Sequence, residues 1–201
     1  MLLIDYKTFN YSDYEVTNAV TNAIEKQADS QAHETRPISM TNTDGKIFFG
    51  ILTQRLENYM LSNNYIDQTI QKGFARGVPG CFEHTTLLQE AFSNAIDSKY
   101  NICATFLDLS NAFGSIDHNM IPIACSWFHL PANFADLLKS YYSGLNTKLI
   151  YDDGCRSESI SVKLGLFQGC AMSVQIFLLI FQIMLNLLKS KRCIQQAYNF
   201  F

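Results

Sequence analysis

The chain has 201 residues, of which 48% are apolar, 13% aromatic and 16% charged, so it is long enough to bury a core and too apolar to stay disordered. With 10 Gly and 4 Pro, collagen-like and low-complexity classes are excluded, and one compact unit or two small subdomains fit the length. A formal net charge of −3 excludes a protein held to nucleic acid by bulk charge alone.

The charge is segregated: −4 over residues 1–35, +2 over 36–80, −5 over 81–153 and +4 over 154–201. Two basic segments bracket an acidic one, which fits either chance or positive walls around a carboxylate-bearing site. The six cysteines, at 81, 103, 125, 155, 170 and 193, lie 15 or more residues apart, with no CxxC and no His at zinc-ligand spacing. The start MLLIDYKTFN lacks the basic and long apolar regions of a secretory signal. Reduced thiols in an intracellular chain, nuclear or cytoplasmic, are expected.

Residues 13–28 carry Val16, Ala19, Val20, Ala23 and Ile24 at helical spacing and predict an amphipathic helix with an acidic outer face. After the polar stretch DSQAHETRP and Asp44-Gly45, a second helix is expected from Lys46 to about Leu61, with Phe48, Ile51, Leu52, Leu56, Tyr59 and Met60 inward. The Gly-rich loop QKGFARGVPG carries Lys72 and Arg76, a candidate nucleic-acid contact. A helix from about Glu83 to Asp97 follows, with Leu88, Ala91, Phe92, Ala95 and Ile96 inward.

Ile102 to Leu107 is a short apolar run that ends on Asp108 and passes at once into a helical pattern, read as a buried strand entering a helix. Helices are expected over about 118–128 and about 131–142, the latter with Pro131 in its first turn. Residues 146–163 alternate on either side of Asp153-Gly154, the sign of a tight hairpin. LGLFQGCAMS is a Gly-punctuated loop leading into the apolar run Ile176–Leu188, whose 13 residues are too few to cross a bilayer and predict a buried helix. Helices, then strand, helices, hairpin and helix make an α+β order.

Asp108 draws attention because a carboxylate at the end of a buried strand is costly unless a cation compensates it. A helix N-cap is the structural alternative. The segments RPISMTNTDGKIFFGILTQRL, QKGFARGVPGCFEHTTLLQEAF, TFLDLSNAF and LFQGCAMS, in that order, resemble reverse transcriptases of non-LTR retrotransposons over roughly residues 35–190. The resemblance implies a right-hand polymerase architecture, helix-rich with a short antiparallel sheet. It further implies an N-terminal helical extension over 1–35, a fingers-like subdomain over 36–100 and a partial palm over 101–201.

It also implies nucleotidyl transfer, in which a primer 3′-hydroxyl attacks the α-phosphate of a dNTP on an RNA template, with Mg²⁺ held by carboxylates. On that pattern Asp108 and the carbonyl of Leu109 are metal ligands. Asn111 and Ala112 offer N–H groups to the triphosphate, and Phe113 crowds the sugar 2′-position or is simply a core aromatic. Arg36 and Lys46 match basic fingers residues over the triphosphate. Gln168 and Gly169 match the loop lying against the templating base and nucleotide, and Ser173 a helix-start residue with a nucleotide or a structural role.

Three departures from the family pattern stand out. Gly114 replaces a common Asp; Phe167 and Ala171 replace a common basic residue and Pro; and no Tyr/Phe-x-Asp-Asp motif follows Ser173. Tyr151-Asp152-Asp153-Gly154 precedes the Gln-Gly loop and is read as turn chemistry. The resemblance therefore implies a reverse transcriptase domain truncated before its second catalytic motif and inactive alone, with exposed apolar surface around Ile102–Leu107 and Val174–Leu188 where the missing hairpin leaves them uncovered. The rest of a retroelement polyprotein is an implied partner; no membrane is. The alternatives are a non-catalytic RNA-binding or interaction remnant, and a product with no retained function.

Overall fold

The computed structural model describes residues 18–25, 35–74, 77–78, 80–151 and 154–191, the side chains of 18–25 and 35–37 excepted. In chain order the elements are β1 (Asn18–Glu25), β2 (Thr35–Thr41), α1 (Thr43–Ser62), α2 (Phe82–Ser98), α3 (Met120–Trp127), α4 (Ala132–Ser143), β3 (Asn146–Leu149), β4 (Ile160–Ser161) and α5 (Ala171–Ser190). The fold is helix-rich α+β, as the sequence predicts. Ile66–Ser110 forms one compact unit, and the remaining described residues form another.

In the larger unit a four-stranded sheet runs in the order β2-β1-β3-β4. β1 pairs antiparallel with β2 and parallel with β3, while β3 and β4 form the expected hairpin. The hairpin turn closes by Gly154 N donating to the Tyr151 carbonyl at 2.9 Å, with Gly154 at φ +80°; Asp152 and Asp153 lie outside the described residues. Pro37 is tolerated because β2 is an edge strand. It shares the parity of Ser39, whose N–H turns away from β1.

The helix expected over 13–28 is corrected: its described part, from Asn18, is strand β1. Alanines, Val20 and Ile24 spaced four apart fit a helical stripe, but β2 pairs with residues 19–25 and β3 with residues 18–21, and tertiary pairing overrides that local pattern.

Helix α1 starts where Asn42 caps it, the side-chain oxygen accepting from Gly45 N at 2.8 Å. Its buried stripe is Gly45, Phe49, Leu52, Leu56 and Met60, one step round from the expected face: Phe49 replaces Phe48, and Ile51 is exposed. α1 packs on α5, and α3 packs on both α4 and α5. Phe49 and Tyr141 bring α1 to α4, with ring centroids 4.5 Å apart. Leu56, Leu138, Leu145, Ile176 and Leu179 are among the most deeply buried residues of this core.

Pro131 is the N-cap of α4 rather than its first helical residue, with ψ 141°. α5 extends beyond the 13-residue apolar run to 20 residues. By length and composition alone it is long enough to cross a membrane, but half of its apolar window is buried inside the protein.

In the smaller unit, α2 buries only Ala95 of its predicted stripe. Phe92 and Ile96, predicted inward, are exposed. The predicted strand Ile102–Leu107 is also corrected: residues 101–109 have no regular secondary structure, and Phe106 and Leu107 are 79% and 88% exposed. Among the described residues no strand pairs with this run, so its apolar, strand-forming composition has no ladder to join. Exposure of that segment was expected from the sequence; α5 buries nine of its 20 residues, and Met184 and Leu187 on it are exposed.

Candidate functional site

Three segments far apart in sequence meet in the larger unit. At the centre lies the loop Leu164–Cys170, which contains the Gln-Gly pair. On one side it is clasped by β2: Ser39 N donates to the Gln168 carbonyl at 2.7 Å. Gly169, at φ +122°, packs so closely that a Cβ there would overlap the Ser39 carbonyl oxygen. Glycine is needed at 169 on both counts. The loop thereby covers the open edge of the sheet, satisfying backbone groups that an edge strand otherwise leaves to solvent.

On its other side the loop meets the turns of residues 111–118. Leu166 N donates to the Phe113 carbonyl at 2.9 Å, and Gly165 N to the Ile116 carbonyl at 2.8 Å. His118 Nε2 donates to the Gly165 carbonyl at 2.8 Å, while Asp117 and Leu164 form an isolated bridge. Gly165, at φ +89°, presses on the backbone of Gly114, where a Cβ on residue 165 would stand 2.9 Å from the Gly114 carbonyl oxygen. The family-variant Gly114 thus sits at a backbone-to-backbone contact, against the side chain of Asn111.

The predicted helix following Asp108 is corrected here. Residues 110–115 form successive turns, Asn111 has φ +48°, and the next helix begins only at Met120. A left-handed residue at 111 interrupts helical geometry. Asp108 therefore caps no helix, and Asn111 and Ala112 do not stand at a helix N-terminus. Phe113 is half-buried, and its ring stacks on Phe177 of α5, with centroids 4.6 Å apart and planes 14° from parallel.

The C-terminal end of the loop is anchored in a buried polar cluster. Ser173 is fully buried, with its hydroxyl 3.5 Å from that of Tyr142, so its contacts are structural. Burial pushes the Cys170 thiol and the Tyr141 and Tyr142 hydroxyls above their ordinary values. For Cys170, N–H groups of Met172 and Ser173 partly oppose that rise. All three groups stay neutral near neutral pH, so Cys170 is not poised as a nucleophile.

The sequence-derived site residues thus divide. Gln168, Gly169, Asn111, Ala112 and Phe113 are brought into one neighbourhood, together with the strand that carries Arg36. Lys46 is exposed in the first turn of α1. Asp108 and Leu109 are exposed and belong to the smaller unit. Lys72 is ion-paired with Glu83 and largely buried; Arg76 lies outside the described residues. Among the described residues, no three His, Cys, Asp or Glu side chains gather as a metal would require, so the donor set does not fit a two-metal centre.

Sequence reading missed Ser39, His118 and Phe177. Only the close run of glycines at 165 and 169 hinted that other backbone approaches there.

A family model described as reverse transcriptase (RNA-dependent DNA polymerase) matches residues 24–199. The Xenopus laevis protein "Transposon TX1 uncharacterized 149 kDa protein" is 24% identical over 176 residues, which cover 86% of this chain and 13% of that protein. The Drosophila melanogaster "Retrovirus-related Pol polyprotein from type-2 retrotransposable element R2DM" is 28% identical over 156 residues, covering 78% of this chain and 14% of that polyprotein. The chain therefore spans only a small part of the length of either relative.

Proposed function

This chain belongs to the reverse transcriptase (RNA-dependent DNA polymerase) family, and from that premise we propose that it forms fingers and palm elements of an RNA-directed DNA polymerase and binds the incoming nucleotide. The observation that carries this reading is the junction at the Gln-Gly loop, where β2, the loop itself and the turns around Phe113 converge. In this reading Gln168 and Gly169 lie against the templating base and nucleotide, Arg36 and Lys46 neutralise the triphosphate, and Phe113 stands against the sugar. Asn111 and Ala112 offer backbone N–H groups from a turn rather than a helix end.

Mg²⁺ is the family's metal, and Asp108 with the Leu109 carbonyl are its proposed ligands. The described residues supply no three-ligand group beside them. The expected behaviour of the chain by itself is nucleotide and primer–template binding without extension; its proposed setting is intracellular, with the rest of a retroelement polyprotein as partner. The alternative of an RNA-binding remnant working through the Lys72–Arg76 loop draws no support from Lys72, whose charge is engaged by Glu83.

A primer-extension assay with an RNA template, a DNA primer, dNTPs and Mg²⁺, run beside a direct dNTP-binding measurement, tests the proposal. Binding without incorporation is expected. Extension abolished by Asp108→Ala would overturn the incomplete-site reading, and failure to bind any dNTP would overturn the nucleotide site.

A further inference from the structure

The turn that carries Phe113 is held at two points by one continuous stretch of chain. Its carbonyl accepts from Leu166 N in the Gln-Gly loop at 2.9 Å. Its ring lies on Phe177, one helical segment further on, with centroids 4.6 Å apart and planes 14° from parallel. Phe177 stacks in turn on Phe181, at 5.7 Å and 15°, four residues along α5, the spacing at which helical side chains share a face.

The Phe113 ring is thus the outer member of a three-ring stack rooted in α5, whose Met172, Ile176 and Leu179 are buried. Near-parallel stacking fixes the plane of a ring, whereas an aliphatic neighbour of similar bulk limits only its depth. All three rings are half-buried, so part of Phe113 remains open to a ligand.

We infer that Phe177 is a positioning residue for sugar selection: by stacking on Phe113 it fixes the ring that distinguishes a deoxyribose from a ribose nucleotide. The inference rests on the nucleotide site proposed above, with Phe113 against the sugar. A ring that refuses a single hydroxyl must be held to about 0.5 Å, and such precision comes from the residues packed behind it. Phe177 is the packed residue here, and Phe181 extends the support.

The test measures binding of dATP and of ATP to the full chain by equilibrium dialysis, for wild type, Phe113→Ala, Phe177→Leu and Phe177→Tyr. The ratio of the two affinities is the readout, because a variant that is partly unfolded loses both nucleotides equally and leaves the ratio unmoved. Wild type is expected to prefer dATP, and Phe113→Ala to lose that preference. Phe177→Leu, which keeps apolar bulk without a ring, lowers the ratio about 2- to 10-fold, while Phe177→Tyr, which keeps the ring, retains it.

A ratio lowered by Phe113→Ala but untouched by Phe177→Leu overturns this inference alone. An unchanged ratio in Phe113→Ala overturns the contact with the sugar, and the inference with it. No binding of either nucleotide by wild type overturns the proposed site itself.

Discussion

Replacing Gly169 by Ala is the sharpest probe of the junction between β2 and the Gln-Gly loop. The new Cβ would overlap the carbonyl oxygen of Ser39, a backbone atom whose strand is held in register by β1, so the obstacle cannot swing aside as a flexible side chain would. Forcing a non-glycine residue to the φ of +122° costs about 1–3 kcal/mol. Separating the loop from Ser39 also sacrifices the 2.7 Å hydrogen bond to Gln168, a further ~0.5–1.5 kcal/mol.

The sum, about 1.5–4.5 kcal/mol, corresponds to a melting temperature lower by roughly 3–18 °C for a chain of this size. Urea unfolding followed by the fluorescence of the single tryptophan, Trp127 on α3, reads the unit that contains the junction. The matching control is Gly50→Ala: position 50 lies inside α1, a Cβ there meets nothing within 4 Å, and a gain of about 0.5–1 kcal/mol is expected. If Gly169→Ala unfolds within about 0.5 kcal/mol of wild type, a threshold typical of uninvolved surface sites, the close approach to Ser39 is wrong.

Three further outcomes are expected. Ala171→Pro should stabilise by about 0.4–1 kcal/mol, because residue 171 is the first of α5 and Cys170 before it already has the extended ψ of 126° that a following proline demands; a lower melting temperature would contradict this. Burial pushes the Cys125 thiol from 9.0 up to about 11, so the unfolded chain gives up that proton first. Stability is full below pH 9 and falls by about 2–3 kcal/mol as pH rises from 9 to 11, with the buried Cys170, Tyr141 and Tyr142 shifted in the same direction. A urea midpoint that stays flat across this range would refute it. Asp108→Ala should leave thermal stability within about 0.5 kcal/mol of wild type, since the residue is exposed in a stretch without regular structure; a larger loss would show that Asp108 has a structural role.

What the sequence disclosed follows from how local each signal was. α1, α4 and the hairpin were legible because a helical stripe or a Gly-containing turn acts within a few residues. Asn18–Glu25, the described part of the 13–28 segment, was misread because its alanines, Val20 and Ile24 satisfy the helical period, while the facts that make it a strand, β2 on one side and β3 on the other, lie elsewhere in the chain. Ile102–Leu107 failed in the opposite sense: it has a strand's composition, yet among the described residues nothing pairs with it. For the site, the motif order picked out residues around 111–113 and 168–169, segments that lie side by side in the fold. The contacts that join them run through backbone atoms of Ser39, Leu166 and Gly165, and a backbone contact leaves almost no trace in residue type except where glycine is required.

The parallel pairing of β1 with β3 bears on how the chain acquires its shape. β1 occupies an inner position of the sheet, yet one of its two neighbours is translated only after α1 to α4. On the ribosome β1 and β2 therefore emerge as a bare two-stranded ribbon, which is marginal in water, and wait for β3. The Ser39 clasp waits longer still, for the Gln-Gly loop. Contacts so remote in sequence must overcome loop-closure entropy before they reward it, so assembly should be slow and late. During that interval the ribbon's unpaired edges are open to other chains, which makes this segment a candidate for chaperone protection.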